Sequence, residues 1–181
     1  DGAKIPYLRG GSGPTLLLVH GFGDRKETFG PLAMALFTHF ELVIVDMPGF
    51  GGSPVVDVAA ISAKAQSAFL GRFVQQLGLS RLHVVGQSMG GAIAARFADD
   101  APHLTRSLTL LSSAGPAGLA PGFMAQVEAG KNPLLVRNYE DFERLCSISF
   151  ERPLLYPRTM KRHIAAQWSN RTAAHGEYFD R

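Results

Sequence analysis

The chain has 181 residues, 46% of them hydrophobic and 18% charged. That length fits one domain able to bury a core, and the composition reads as soluble and globular, which excludes a disordered chain. The net charge of +3 is local: residues 1–130 carry nine Lys/Arg and nine Asp/Glu, residues 131–181 nine and six, with no basic stripe or aromatic platform, so nucleic-acid binding is not expected.

In chain order, Ala3–Leu8 is predicted as a short strand ending at the turn Gly10-Gly11-Ser12-Gly13-Pro14. Thr15–His20 is a continuous apolar run, as expected of a strand buried on both faces. Pro31–Phe40 reads as a helix and Glu41–Val45 as another buried strand ending in Asp46. A turn-rich stretch, Pro48 to Pro54, precedes a long helix in which Ile61, Ala65, Phe69, Phe73 and Leu77 recur, with Gly78 as the stop. Leu82–Val85 is a strand, Gly90–Ala98 a small-residue helix and Ser107–Leu111 a strand. Alternating strands and helices with short connections predict an α/β protein, with a mostly parallel central sheet and helices on both faces.

After Ala114 no convincing strand follows, and residues 115–181 read as a helical cap inserted after a core of residues 1–114. Asn138 with Asp141 three residues on is an N-cap, and Tyr139, Phe142, Leu145 and Cys146 form an apolar stripe. Met160–Trp168 is predicted helical. The lone Cys146 allows no intrachain disulfide and reads as a buried small hydrophobe. No apolar run approaches the roughly 18–20 residues of a membrane helix. No signal peptide is visible, which favours the cytoplasm; but the chain opens on Asp1, not Met, so the start looks cut and leaves room for an upstream export signal.

Chemistry concentrates in Gly86-Gln87-Ser88-Met89-Gly90-Gly91, between an apolar strand and a small-residue helix. A G-x-S-x-G segment in that context is a nucleophile elbow: the serine stands on a sharp strained turn, which leaves no room for side chains at Gly86 and Gly90. Small residues Gly91, Ala92, Ala94 and Ala95 let the helix pack against the strand, and its N-terminus favours developing negative charge. Directly after the strand Thr15–Val19 comes His20-Gly21-Phe22-Gly23. An acyl-transfer site needs oxyanion donors fixed before reaction, each worth about 2.7–4 kcal/mol of barrier. The backbone N–H groups of Met89 and Phe22 are the candidates, with Gly21 and Gly23 letting the loop turn inward. His20 is expected to hold that loop by hydrogen bonds rather than act as a base, and Asp46 to fasten neighbouring loops at the carboxyl edge of the sheet. No metal-ligand cluster or phosphate loop is present in the sequence, so no metal or cofactor is expected.

The segments Leu17-Leu18-Val19-His20-Gly21-Phe22-Gly23, Asp46-Met47-Pro48-Gly49-Phe50-Gly51-Gly52-Ser53 and Gly86–Gly91, in that order, resemble the α/β-hydrolase superfamily. Asn132–Arg137 and Asp141–Leu145 are similar to the cap of its bacterial esterases and lipases. The resemblance implies a carboxylic-ester hydrolase with a small-molecule or lipid ester substrate and Ser88 as nucleophile. Phe22, Met89, Phe123, Met124 and Trp168 are apolar candidates for the acyl pocket, the last three equally for cap core. A serine at the elbow argues against dehalogenases and epoxide hydrolases, which use Asp there.

The superfamily order is Ser, then Asp or Glu, then His, on loops after later strands. No such strand follows Leu111, so the acid and histidine are not identified and the chain is expected to stop before them, with little activity alone. Asp141 or Glu143 with His163 or His175 meets the order formally but lies in the helical insertion; His39, His83 and His103 have weaker claims. Two other functions share this sequence pattern: a carbon–carbon bond hydrolase or cofactor-free perhydrolase of the same fold, and a non-catalytic binding protein. The loop Asp24-Arg25-Lys26-Glu27 lacks the Gly-Pro pattern common in the first, and the retained serine argues against the last.

Overall fold

The computed structural model describes residues 4–54, 58–114, 125–126, 129–172 and 175. The chain divides into two compact units, Asp1–Gly118 and Leu119–Arg181.

The first unit is built on five strands: β1 (Tyr7–Gly11), β2 (Thr15–Val19), β3 (Glu41–Val45), β4 (Leu82–Gln87) and β5 (Thr105–Leu111). Their order is β1-β3-β2-β4-β5. β2, β3, β4 and β5 pair in parallel, and β1 runs antiparallel along β3 at the edge. Parallel pairing puts the carboxyl ends of β2, β3 and β4 on one edge, where residues 20–23, 46–53 and 88 follow. Side chains alternate across the sheet. Leu16, Leu18, Leu42, Ile44 and Val85 form one face and pack with Phe29 and with Leu32, Ala33 and Leu36 of α1 (Gly30–Leu36). Leu17, Val19, Val43, Val45 and Val84 face the other way and are likewise buried. α3 (Met89–Asp100) lies against β4, β5 and β2, and α2 (Ala63–Gln76) packs beside it. Ser67 Oγ of α2 donates to Asp100 Oδ2 of α3 at 2.7 Å.

The helix expected over Pro31–Phe40 is Gly30–Leu36, ending at its C-cap Phe37, and two further elements depart from expectation. The first strand is Tyr7–Gly11, not Ala3–Leu8: Gly10 and Gly11 pair with Leu42 and Glu41 instead of turning. All five of its residues are exposed, so no buried face marks its register in the sequence. In α2 the buried residues are Gln66, Ser67, Leu70, Phe73 and Val74. Four-residue steps drift around a 3.6-residue helix, so the stripe through Ile61, Ala65 and Phe69 runs along the rim of the buried face. Gln66 is buried because its amide donates to the carbonyls of Pro48 (3.1 Å) and Ala60 (3.0 Å).

The second unit contains α4 (Tyr139–Ser149) and α5 (Arg158–Ser169). Asn138 Oδ1 accepts from Asp141 N at 2.8 Å, capping α4 as its sequence suggested. Val136, Phe142, Leu145 and Ala165 form its core, with Tyr139, Cys146 and Trp168 packed around it. Among the described residues no helix is long and apolar enough to cross a membrane.

Candidate active site

β4 delivers Ser88 to the carboxyl edge of the sheet, and α3 begins at the next residue. Ser88 sits at φ 52°, ψ −121°, in the left-handed half of φ space that a side chain disfavours. The surroundings over-determine that conformation. Ser88 N–H donates to Leu111 O at 3.0 Å, and Ser88 O accepts from Gly91 N and Ala114 N, each at 2.9 Å. The side chain itself is exposed. A Cβ at Gly86 would stand 2.3 Å from Gly90 O, and one at Gly90 would stand 2.3 Å from Val19 O. Both meet backbone, which cannot step aside. A Cβ at Gly91 would run into the Ser113 side chain and stand 3.0 Å from Ser113 Cα. Met89 opens α3, where N–H groups have no partner within the helix.

The loop after β2 runs beside this serine. A Cβ built on Gly21 would lie 3.2 Å from Ser88 Cβ and 3.7 Å from its Oγ. His20, fully buried, bonds through both ring nitrogens: Nδ1 lies 2.8 Å from Gly21 O, and Nε2 accepts from Met47 N at 3.1 Å. An Nε2 that accepts leaves the proton on Nδ1, which therefore donates to Gly21 O, and the ring is neutral. Burial pushes its pKa below the ordinary value, outweighing the Gly21 carbonyl and the charges of Asp24, Asp46 and Glu27. Gly21 O and Phe22 N–H belong to one trans peptide, so a carbonyl turned to His20 turns that N–H the opposite way. The Phe22 ring meets Phe50 edge-on at 5.4 Å.

Asp46, also fully buried, ties three segments together. Its Oδ1 accepts from Lys26 N at 2.7 Å, and its Oδ2 accepts from Lys26 Nζ and Gly52 N, each at 2.8 Å. Ser53 Oγ donates to Asp46 O at 2.7 Å. Lys26 also meets Glu27 at 2.9 Å. Sequence reasoning passed over Lys26: no spacing rule links a lysine to an aspartate twenty residues on. It also passed over Ser113 and Ala114, whose contacts with the elbow only the sheet reveals.

The remaining histidines fall elsewhere. His39 precedes β3, His83 lies at the start of β4 and bonds Ser107 Oγ at 2.7 Å, and His103 precedes β5. All three are thus at the amino edge of the parallel strands, opposite Ser88. In the second unit, His163 is exposed on α5 and bonds Gln167 at 2.8 Å, and His175 is buried. Asp141 accepts from Arg137 N at 3.0 Å and pairs with Arg144 at 3.1 Å. Glu143 accepts from the Tyr139 hydroxyl at 2.5 Å and pairs with Lys161 at 3.3 Å. Trp168 packs on the core of its own unit. Phe123 and Met124 lie outside the described residues. Among the described residues no cluster of three or more His, Cys, Asp or Glu could hold a metal ion.

A parallel sheet with a strained serine at its carboxyl edge and a Gly-rich loop beside it defines a class. The chain belongs to the alpha/beta hydrolase fold family, whose sequence profile matches residues 14–141. It is 36% identical to Lipase 1 of Psychrobacter immobilis over 172 residues, 92% of this chain and 54% of that protein. It is 36% identical to Lipase 3 of Moraxella sp. (strain TA144) over 178 residues, 96% of this chain and 56% of that protein. Among solved structures, a membrane phospholipase A described as a bacterial virulence factor superimposes with a TM-score of 0.92 at 36% identity. That match covers 99% of this chain and 59% of that one. The chain therefore spans little more than half the length of these relatives.

Proposed function

We propose that this chain carries the nucleophile and oxyanion hole of a serine-dependent carboxylic-ester hydrolase of esterase or lipase type. Ser88 Oγ attacks the acyl carbon, and the tetrahedral oxyanion is held by the N–H groups of Phe22 and Met89. Collapse expels the alcohol and leaves an acyl-enzyme on Ser88, which water then hydrolyses. His20, Gly21, Gly23, Asp46, Gly86 and Gly90 support this geometry without touching substrate. Ser88 at φ 52° with Gly21 alongside its hydroxyl is the observation that carries the assignment. The lipase names of the relatives point to the same ester chemistry.

The base that takes the Ser88 proton, and the acid that orients it, are assigned to chain beyond residue 181. In the first unit only His20 stands at the carboxyl edge, and both its nitrogens are committed to backbone. The edge strand β5 leaves Leu108, Leu110 and Leu111 36%, 48% and 38% exposed, as suits a sheet that continues with further strands. Residues 115–181 then serve as the cap insertion.

The test is turnover of a p-nitrophenyl ester by the 181-residue chain and by a chain extended at its C-terminus. The extended chain should be active and the short one should keep only the residual rate that oxyanion donors and binding supply. Full Ser88-dependent turnover by the short chain contradicts the missing base. An extended chain that leaves esters intact but cleaves vinylogous diketones makes the protein a carbon–carbon bond hydrolase instead.

A further inference from the structure

Among the described residues, exposed large hydrophobic side chains occur on β1, α1 and the edge strand β5 of the first unit and in one stretch of the second. Ile148 at the end of α4, Phe150, Leu155 and Tyr156 in the connection, and Met160 in the first turn of α5 are 59%, 49%, 97%, 45% and 47% exposed. None belongs to the unit's core, which Val136, Phe142, Leu145 and Ala165 form. Five such residues within thirteen positions are a patch, not scattered singles.

The patch is ringed by one sign of charge. Residues 144–162 contain five Lys/Arg against one acid, Glu151; Arg144 and Lys161 are paired with Asp141 and Glu143, which leaves Arg152, Arg158 and Arg162 as the cations beside the patch. Arg158 and Arg162 stand over the Tyr139 ring at 5.8 and 5.7 Å, where stacking spends no positive charge. Three arginines against one glutamate thus accompany a run of exposed apolar side chains. Apolar tips with aromatic members and flanking cations are complementary to the boundary of a bilayer whose headgroups are anionic: tips enter the acyl boundary, guanidinium groups meet phosphate. A protein partner would need acidic groups facing every one of these cations and a pocket for each tip, whereas an anionic lipid surface supplies both without further design.

We propose that the turn between α4 and α5, residues 148–160, is a docking surface for an anionic lipid membrane. This extends the ester-hydrolase proposal, resting on it for why a lipid surface matters, but it is read without turnover. The probe is co-sedimentation of the 181-residue chain with vesicles of phosphatidylglycerol and phosphatidylcholine, against vesicles of phosphatidylcholine alone. The anionic vesicles should bind at least about ten-fold more protein, and the excess should vanish as salt rises from about 0.1 to 1 M, which shortens screening from ~10 to ~3 Å. L155D/M160D and, separately, R152E/R162E should each lose about ten-fold or more in binding while keeping the wild-type circular dichroism and melting temperature, since all four side chains lie outside the core.

Equal binding to the two vesicle types, or binding that neither double variant moves, overturns the proposal. So does concentration-dependent dimerisation that L155D/M160D abolishes, which assigns the patch to a second copy. An extended chain that hydrolyses a soluble p-nitrophenyl ester yet ignores anionic vesicles refutes docking and leaves the ester-hydrolase proposal standing; the converse result refutes only the latter.

Discussion

Lys26 occupies both oxygens of the Asp46 carboxylate, its backbone N–H on Oδ1 at 2.7 Å and its ammonium on Oδ2 at 2.8 Å. The lysine belongs to the loop after β2 and the aspartate to the end of β3, so one residue pair fixes these two loops to each other. The Asp46 side chain is fully buried and that of Lys26 only 12% exposed. Removing one partner of such a pair leaves an uncompensated charge. Lys26→Met should cost about 3–5 kcal/mol in urea denaturation, and Lys26→Met with Asp46→Leu less than the sum of the single losses. Strict additivity would mean that the pair does not act as a unit.

Gly90 at the elbow and Gly71 inside α2 differ in kind. Gly90→Ala drives a methyl into Val19 O and His20 O, at 2.3 and 2.4 Å, and should cost about 3 kcal/mol or more. Gly71, inside α2, has nothing within 4 Å of its virtual Cβ, so Gly71→Ala should stabilise by roughly 0.5–1 kcal/mol through helix propensity alone. Thermal melts of the two variants should move in opposite directions.

Strain at Ser88 is separable from its chemistry. At φ 52° a Cβ carries a cost that glycine does not. Ser88→Gly should melt higher than Ser88→Ala, by about 1 kcal/mol or more, although both lack the hydroxyl. Equal melting temperatures would show that the turn is unstrained.

Acid should destabilise the first unit in two windows. His20 is held neutral by burial, so its folded pKa lies below the ordinary 6.5. The unfolded chain takes that proton first, and stability complete above about pH 6.5 falls as pH drops toward the folded value. Glu27 is half-exposed; its burial pushes upward, but Arg25 and Lys26 hold it at about 2. Its contribution is present above its ordinary 4.5 and lost as pH falls toward 2. Urea midpoints measured from pH 8 to 3 should decline below 6.5 and again below 4.5. A flat profile between pH 7.5 and 5.5 contradicts a neutral, buried His20.

What could be read beforehand follows from which interactions are local. β2, β3 and the β4–α3 elbow were legible because apolar runs and G-x-S-x-G report burial and turn geometry directly. β1 was misplaced because an exposed edge strand is set by backbone pairing, which side-chain pattern does not record. The four-residue recurrence did not mark the buried face of α2, because that face includes Gln66, a polar residue whose amide meets the carbonyls of Pro48 and Ala60. The site divides in the same way. The juxtaposition of Ser88 with the His20–Gly23 loop was expected from local motifs, whereas the contacts of Lys26, Ser113 and Ala114 exist only once the sheet has formed.

The most direct measurement is mass spectrometry of the C-terminally extended chain after treatment with a fluorophosphonate. A nucleophilic Ser88 predicts one adduct, located on the peptide that contains Ser88 and lost in Ser88→Ala. An unlabelled chain that is otherwise folded, or an adduct on any other residue, would contradict it.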